Sequence, residues 1–432
     1  RVYAKFDDPA ALRLTTIFAV ICLPQLFFYG LFTILGQVLN ANGRFAGFMW
    51  APALANVVAV AGLVWFMQAG YPSGASPADW TPAMIGILAG TATLSIAIQA
   101  LALVIPLRRI GFRYRPVWGV RGHGLGEVSQ VAKWTFGSLV VSQLGYVVTS
   151  RVLTGATERG KVLGESVSGL AAYQNAFLIV MLPHGLITVS LVTALYTSLS
   201  EAASRDDTRQ VRRYHDQGLR LPAVIIVPGC VFLAVLAPYI TSTFFFSNSL
   251  DQTRAIAVVL SVIAWMAIPM SWTYLNDRVF YAHEMTWMSF RLQCVTTGVA
   301  TIGAVVALQV EPARTAMVLG AGQVLAFVVS AAVGFWVLRR MIGNLGLRST
   351  ARTYVLLLLP AIVTAVGLLL AIGRLFPDLG ETRGASGLLA GGLVLGAAGA
   401  IQLGVTWGVA SLLGVREIST ALQPVTRRLR RR

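Results

Sequence analysis

Acidic residues are scarce in this chain: 17 Asp and Glu stand against 34 Lys and Arg, and charged residues of both signs fill only 12% of its 432 positions. Soluble domains carry about a quarter of their residues charged, so an ordinary water-exposed surface is excluded. Cysteine is rarer still. Cys22, Cys230 and Cys294 are odd in number and lie inside long apolar stretches, which excludes a disulfide framework and a CxxC metal site. The four histidines (His123, His184, His215, His283) are scattered, and no HExxH, GxSxG or Walker A pattern occurs. The one adjacent acidic pair, Asp206 and Asp207, sits in an arginine-rich loop, so the clustered carboxylates of a metal-dependent membrane transferase are missing. No catalytic residues, metal ligands or cofactor site are expected. Long polar segments are lacking too: 108–127 and 201–217 are the longest, and neither can form a soluble domain.

What the chain has in abundance is apolar sequence, 56% hydrophobic residues with a mean hydropathy of +0.71. About 20 apolar helical residues cross a hydrocarbon core of roughly 30 Å. Eleven such spans are predicted, at 14–39, 46–69, 82–107, 128–154, 167–200, 218–245, 253–275, 286–309, 312–340, 353–373 and 385–414. Runs such as Tyr354 to Leu370 do not alternate in the way barrel strands do. The fold class is therefore an all-α polytopic membrane protein. A net charge of +17 suggests nucleic acid at first, but a soluble binder needs a basic face on a folded core, and the apolar runs exclude that.

Positive residues are retained on the cytoplasmic side of short loops. The loops after the third, fifth and ninth spans, the C-terminal tail, Arg44 and Arg278 together hold 22 Lys and Arg, against 10 on the alternate loops and the N-terminal segment. The tail is therefore expected inside, and eleven crossings put residue 1 outside. Because residue 1 is Arg and no signal peptide precedes the first span, a chain lacking an odd number of upstream helices is expected.

Within the spans, Lys133 and Arg291 lie near cytoplasmic ends, and Arg13 and Arg151 near outer ends, all within snorkelling reach. No Asp or Glu falls in the middle of a predicted span, so a carboxylate relay is not expected. The fourth span carries a polar stripe, Ser138, Ser142, Gly145 and Thr149, flanked by Gln143 and Tyr146. It fits two readings, the lining of a hydrated cavity or interhelical hydrogen bonding. In the first, Arg151 stands near the outer mouth and Lys133 near the inner one. The fifth span holds Tyr173, Gln174, Asn175 and His184, and Pro183 should interrupt its hydrogen-bond ladder. The Leu-rich tenth span is expected to face lipid. Gly392, Gly396, Ala400, Gly404 and Gly408 give the last span a small-residue face suited to close packing.

Particular residues carry a family resemblance. Pro24-Gln25-Leu26-Phe27-Phe28-Tyr29-Gly30-Leu31, then Gly36-Gln37-Val38-Leu39-Asn40-Ala41, Arg44-Phe45, Ala51-Pro52-Ala53-Leu54 and Asn56, resemble the fourth and fifth helices of the MurJ (MviN) lipid II flippases. Leu182-Pro183-His184-Gly185 with Val189-Ser190 and Thr193-Ala194-Leu195 resembles the eighth helix of that family. Arg278-Val279-Phe280-Tyr281-Ala282 resembles the turn between its tenth and eleventh. The resemblance implies a partial two-lobe fold of the multidrug/oligosaccharidyl-lipid/polysaccharide exporter type. Residues 1–127 would be the remainder of the N-lobe, 128–341 the C-lobe, 342–414 two extra helices forming a lipid-tail groove, and 415–432 a basic cytoplasmic tail.

The resemblance further implies three absent upstream helices, which would include the family's cavity arginines. It implies a flippase that moves an undecaprenyl-pyrophosphate-linked peptidoglycan precursor across the bacterial cytoplasmic membrane by alternating access, with membrane lipids as its surroundings. Ser138, Ser142, Thr149, Arg151, Lys133, Gln174 and Asn175 are the candidate substrate contacts. One departure stands out: where the family often has an arginine, about five residues before the Pro-x-Gly element, this chain has Leu178. The alternatives are a flippase for another polyprenyl-linked glycan, a drug exporter of the same fold, or a non-transporting scaffold that recruits cell-wall synthesis proteins.

Overall fold

A computed structural model describes residues 9–71, 76–112, 125–163, 167–380, 384–415 and 417–418. The tail beyond Ile418, Arg416 and the loop arginines Arg113, Arg115 and Arg121 lie outside the described residues. The regular elements described are all helical, and eleven helices or joined helices are long and apolar enough to cross a membrane. They fall into two compact units, residues 1–121 and 122–432.

The first unit contains α1 (Pro9–Cys22), α2 (Pro24–Ala41), α3 (Phe45–Gln68), α4 (Pro82–Ala102) and α5 (Val104–Arg109). The first predicted span is thus two helices in line, broken at Leu23 because Pro24 has no N–H to donate. Thr81 caps α4 by accepting from the Met84 N–H at 3.3 Å. Thr93 ties the helices together, donating to the Ile21 carbonyl at 2.8 Å while Gln25 donates to its hydroxyl at 3.0 Å. A stacked pair, Phe32 and Phe48, joins α2 to α3 with ring centres 4.8 Å apart.

The second unit begins with α6 (Leu125–Leu163) and α7 (Leu170–Pro183). A π-helical turn, His184–Val189, then leads into α8 (Ser190–Ser204). The interruption expected at Pro183 takes this form: the residue that cannot donate is followed by a widened turn, not a break. Next come α9 (Thr208–Val235), α10 (Ala237–Phe244), α11 (Leu250–Ile263), α12 (Ala267–Ala282), α13 (Thr286–Ala307), α14 (Pro312–Ile342), α15 (Leu347–Leu375) and α16 (Gly384–Leu412). Asp207 caps α9 and Ser249 caps α11, each accepting from the N–H three residues on. The core lies among α7, α9, α10, α11 and α12, where Leu236, Ile240, Ile256, Leu260, Ile263 and Met266 are almost fully buried.

Three expectations are corrected here. The small-residue stripe of α16 is exposed, and a Cβ added at Gly392, Gly396, Gly404 or Gly408 would meet nothing within 4 Å. The packed face is instead Gly391, Leu395, Ala398, Gln402, Thr406 and Ala410, displaced about 100° around the helix. Between apolar helices in lipid the association rests on close packing and hydrogen bonds. Here those bonds are Gln402 Nε2 to the Ala361 carbonyl and Trp407 Nε1 to the Val224 carbonyl, both 2.9 Å, and they select the face.

Second, α15 is not simply a lipid-facing helix. Thr350, Thr353, Leu357, Ala361, Ala365, Leu368 and Ile372 form a buried stripe against its neighbours, and Leu357 is completely covered. Leu359, Val363 and Leu370 are the exposed side. Third, Arg278 to Ala282, which resemble a turn in the sequence, are helical: α12 runs to Ala282, and the turn follows at His283 and Glu284.

Candidate functional site

The helices α6, α7, α13 and α14 enclose a cavity of about 560 Å³ in the second unit. Small residues bring these helices together. At the crossing of α13 and α14, Gly303 and Gly322 meet backbone to backbone, and a Cβ on Gly303 would lie 2.8 Å from the Gly322 Cα. Gly145 of α6 faces the Thr297 methyl of α13, where an added Cβ would lie at 2.9 Å. Gly145 and Thr297 themselves border the cavity, and polar side chains line much of the rest.

From α6 come Ser142, Gly145, Tyr146 and Thr149; from α7, Tyr173, Gln174, Phe177 and Leu178. The eighth and ninth spans contribute Gln293, Thr296, Thr297 and Ala300 of α13 with Gln323 and Phe327 of α14. Gln174 donates to the Tyr146 hydroxyl at 2.5 Å, bridging α7 to α6, and Gln293 donates to Thr297 Oγ1 at 3.0 Å. None of the lining side chains carries a charge. The site offers hydroxyl and amide groups against four aromatic rings, of Tyr146, Tyr173, Phe177 and Phe327, and a leucine, chemistry suited to a neutral, hydroxyl-rich ligand. It offers no cation to a phosphate, and Leu178, more than half exposed, takes up part of the wall.

The sequence candidates therefore divide. Ser142, Thr149 and Gln174 line the cavity. Ser138 lies a turn away and donates to the Trp134 carbonyl at 3.0 Å. Asn175 is half-buried outside the lining. Lys133 and Arg151 are exposed and line nothing there. At about 100° per residue, Lys133 points roughly 180° from Ser142, and Arg151 roughly 200° from Thr149. The pair does not flank the cavity as the stripe suggested. Four polar lining residues went unread, Gln293, Thr296, Thr297 and Gln323. The i, i+3, i+4 spacing of the first three was the available signal.

A second polar region runs along α9, α12 and the start of α15. His215 Nε2 pairs with Asn276 Oδ1 at 3.0 Å, both fully buried. Thr188 of the π-helical turn and Ser271 share a hydrogen bond of 2.7 Å. The Arg278 guanidinium lies over the rings of Tyr274, Tyr196 and Tyr281 at 4.6, 5.6 and 5.8 Å. Arg220 is held by Asp216 at 2.8 Å, Glu417 at 3.0 Å and Ser349 at 2.5 Å. Tyr354 continues the network, accepting from Trp272 Nε1 at 2.7 Å and donating to the Leu219 carbonyl at 2.9 Å. These groups are tied to one another, not turned toward an open space.

Comparison with known proteins then bears on the arrangement. The profile of the family described as Lipid II flippase MurJ matches residues 1–380. A curated protein named Lipid II flippase MurJ, from Burkholderia cenocepacia, is 25% identical over 263 residues, which are 61% of this chain and 48% of that protein. The chain thus spans about half the length of the curated relative it matches. Among solved structures, a lipid II flippase MurJ in an inward closed conformation superposes with a TM-score of 0.61 at 16% identity, covering 90% of this chain and 74% of the other. An inward-facing multidrug resistance MATE family transporter of the MOP superfamily gives 0.61 at 16%, covering 80% and 74%. At such identities the superpositions establish the fold, a partial one of the MurJ and MATE type.

Proposed function

Because this chain belongs to the lipid II flippase MurJ family, we propose that the protein moves a polyprenyl-pyrophosphate-linked peptidoglycan precursor from the inner to the outer leaflet by alternating access. It is a multi-pass protein of the bacterial inner membrane, in a family of transporters and not of enzymes. The observation that supports the glycan part of that substrate is the uncharged polar cavity between α6, α7, α13 and α14. A glycan-bearing headgroup cannot cross hydrocarbon unaided, since each unpaired polar group costs several kcal/mol there. Hydroxyl and amide side chains such as Ser142, Thr149, Gln174 and Gln323 can pair with its hydroxyls while the polyprenyl tail stays in lipid.

The test is made in cells that depend on this protein. Ser142→Leu and Thr149→Leu should slow the appearance of precursor on the outer leaflet with protein abundance unchanged. Leu359→Ala, on the exposed side of α15, should not. Normal flipping in both cavity variants would overturn the proposal. A scaffold for cell-wall enzymes is the second reading, favoured by the absence of any charge in the cavity lining and by Leu178, and it requires that outcome.

The orientation belongs to the same proposal: the arginine-rich loops and the C-terminal tail are cytoplasmic, by retention of positive charge. On a background without native cysteines, a membrane-impermeant thiol reagent should modify Ser76→Cys and spare Ser204→Cys. The opposite labelling would invert the topology.

A further inference from the structure

Three helices of the second unit carry a cation packed on a tryptophan. The Lys133 ammonium lies 5.2 Å from the ring centre of Trp134 on α6, the Arg291 guanidinium 4.5 Å from that of Trp287 on α13, and the Arg340 guanidinium 3.9 Å from that of Trp336 on α14. Helix register places the three pairs at one level. Gly137 faces Phe290 and Gly145 faces Thr297, so α6 and α13 run parallel with an offset that sets Trp134 beside Trp287. The Trp134 and Phe290 rings, 5.3 Å apart, make the same link. Gly303 meets Gly322 and Ser330 donates to the Leu292 carbonyl, so α13 and α14 run antiparallel and Trp336 comes level with Trp287. Lys133, Arg291 and Arg340 are all exposed, and none makes an ion pair with a described residue.

We propose that these three tryptophan–cation pairs form a binding belt for anionic phospholipid headgroups at the cytoplasmic edge of the bilayer. Tryptophan favours the interface because its ring is apolar and its N–H polar. A cation held over the ring is kept at headgroup depth, where a lipid phosphate can neutralise it. Arginine and lysine retained only for topology need neither a common level nor a ring beneath each one. The side of the membrane rests on the orientation proposed above; the binding itself does not depend on what the cavity carries.

The test uses the purified chain in zwitterionic detergent, with thermal unfolding followed on adding phosphatidylglycerol or phosphatidylcholine. Phosphatidylglycerol should raise the midpoint by roughly 5 °C more than phosphatidylcholine, from about one favourable cation contact per pair. The Lys133→Gln, Arg291→Gln, Arg340→Gln triple variant should lose that difference, and Arg340→Gln alone about a third of it. Trp134→Leu, Trp287→Leu and Trp336→Leu together should reduce it with the charge intact. A charge-matched triple at the opposite ends of helices, Arg254→Gln, Arg314→Gln and Arg374→Gln, should keep it. Equal shifts from both lipids, retention in the first triple, or equal loss in the charge-matched one would overturn the proposal. So would an equal shift from inorganic pyrophosphate, which would make the belt a site for a free anion.

Discussion

The two buried helical segments of the second unit and the helices around the cavity use polar residues in opposite ways. Over their most apolar windows, α9 and the joined α11–α12 are 61% buried, whereas α6 is 17% and α13 is 22% buried. In the first pair polar groups are spent on one another: His215 on Asn276, Arg220 on Asp216 and Glu417, Thr188 on Ser271. Around the cavity the polar groups are neutral and sit beside open volume. Removing a partner in the first region strands a buried group, which costs stability; removing one in the second exposes a neighbour that solvent or ligand can satisfy.

That contrast is open to attack at several points. The largest effect is expected from Arg220→Ala, which leaves Asp216 and Glu417 without their cation in a half-buried setting; thermal unfolding in detergent should show a loss of about 2–3 kcal/mol. Asn276→Leu should cost about 2 kcal/mol by the same measurement, because the buried His215 ring nitrogen loses its partner. If Gln174→Leu destabilised as much as either, the contrast would fail, for that variant should stay within about 1 kcal/mol of the parent while transport slows.

Within α16 the comparison can be made on a single helix. Gly391→Leu, on the face against Thr243, should sharply lower the yield of folded protein, because an added side chain has no room there. Gly396→Leu and Gly404→Leu should leave it unchanged, the smallest effect expected, and loss of yield in either would return the exposed stripe to the packing interface.

Hydropathy revealed the number and rough position of the spans because crossing length is a local property of the chain. Which face of a span is covered is not local. Leu357 looked exposed in an all-apolar run and is buried because α9 lies along it; the glycine stripe of α16 looked like an interface and is not, because Gln402 and Trp407 turn the neighbouring face inward. The Arg220–Glu417 pair joins residues 197 apart in sequence, a partnership no spacing rule reaches. The cavity was half legible for the same reason. Ser142, Thr149 and Gln174 stood out as polar residues at helical spacing in two consecutive spans, whereas Gln323 is a single amide in an apolar helix. Lys133 and Arg151 misled because their depth in the span was weighed and their angle around it was not.

The glycine crossing of α13 and α14 also has a mechanical side. Two rods that touch backbone to backbone have no long side chains between them to absorb a change of angle. They are fastened a second time where Ser330 donates to the Leu292 carbonyl, 11 residues from Gly303 and about 16 Å along the helix. A tilt about the glycine crossing breaks that bond, so the two helices move as one plate. Thr297 and Gln323, both within about 10 Å of the crossing, keep their spacing when the plate moves.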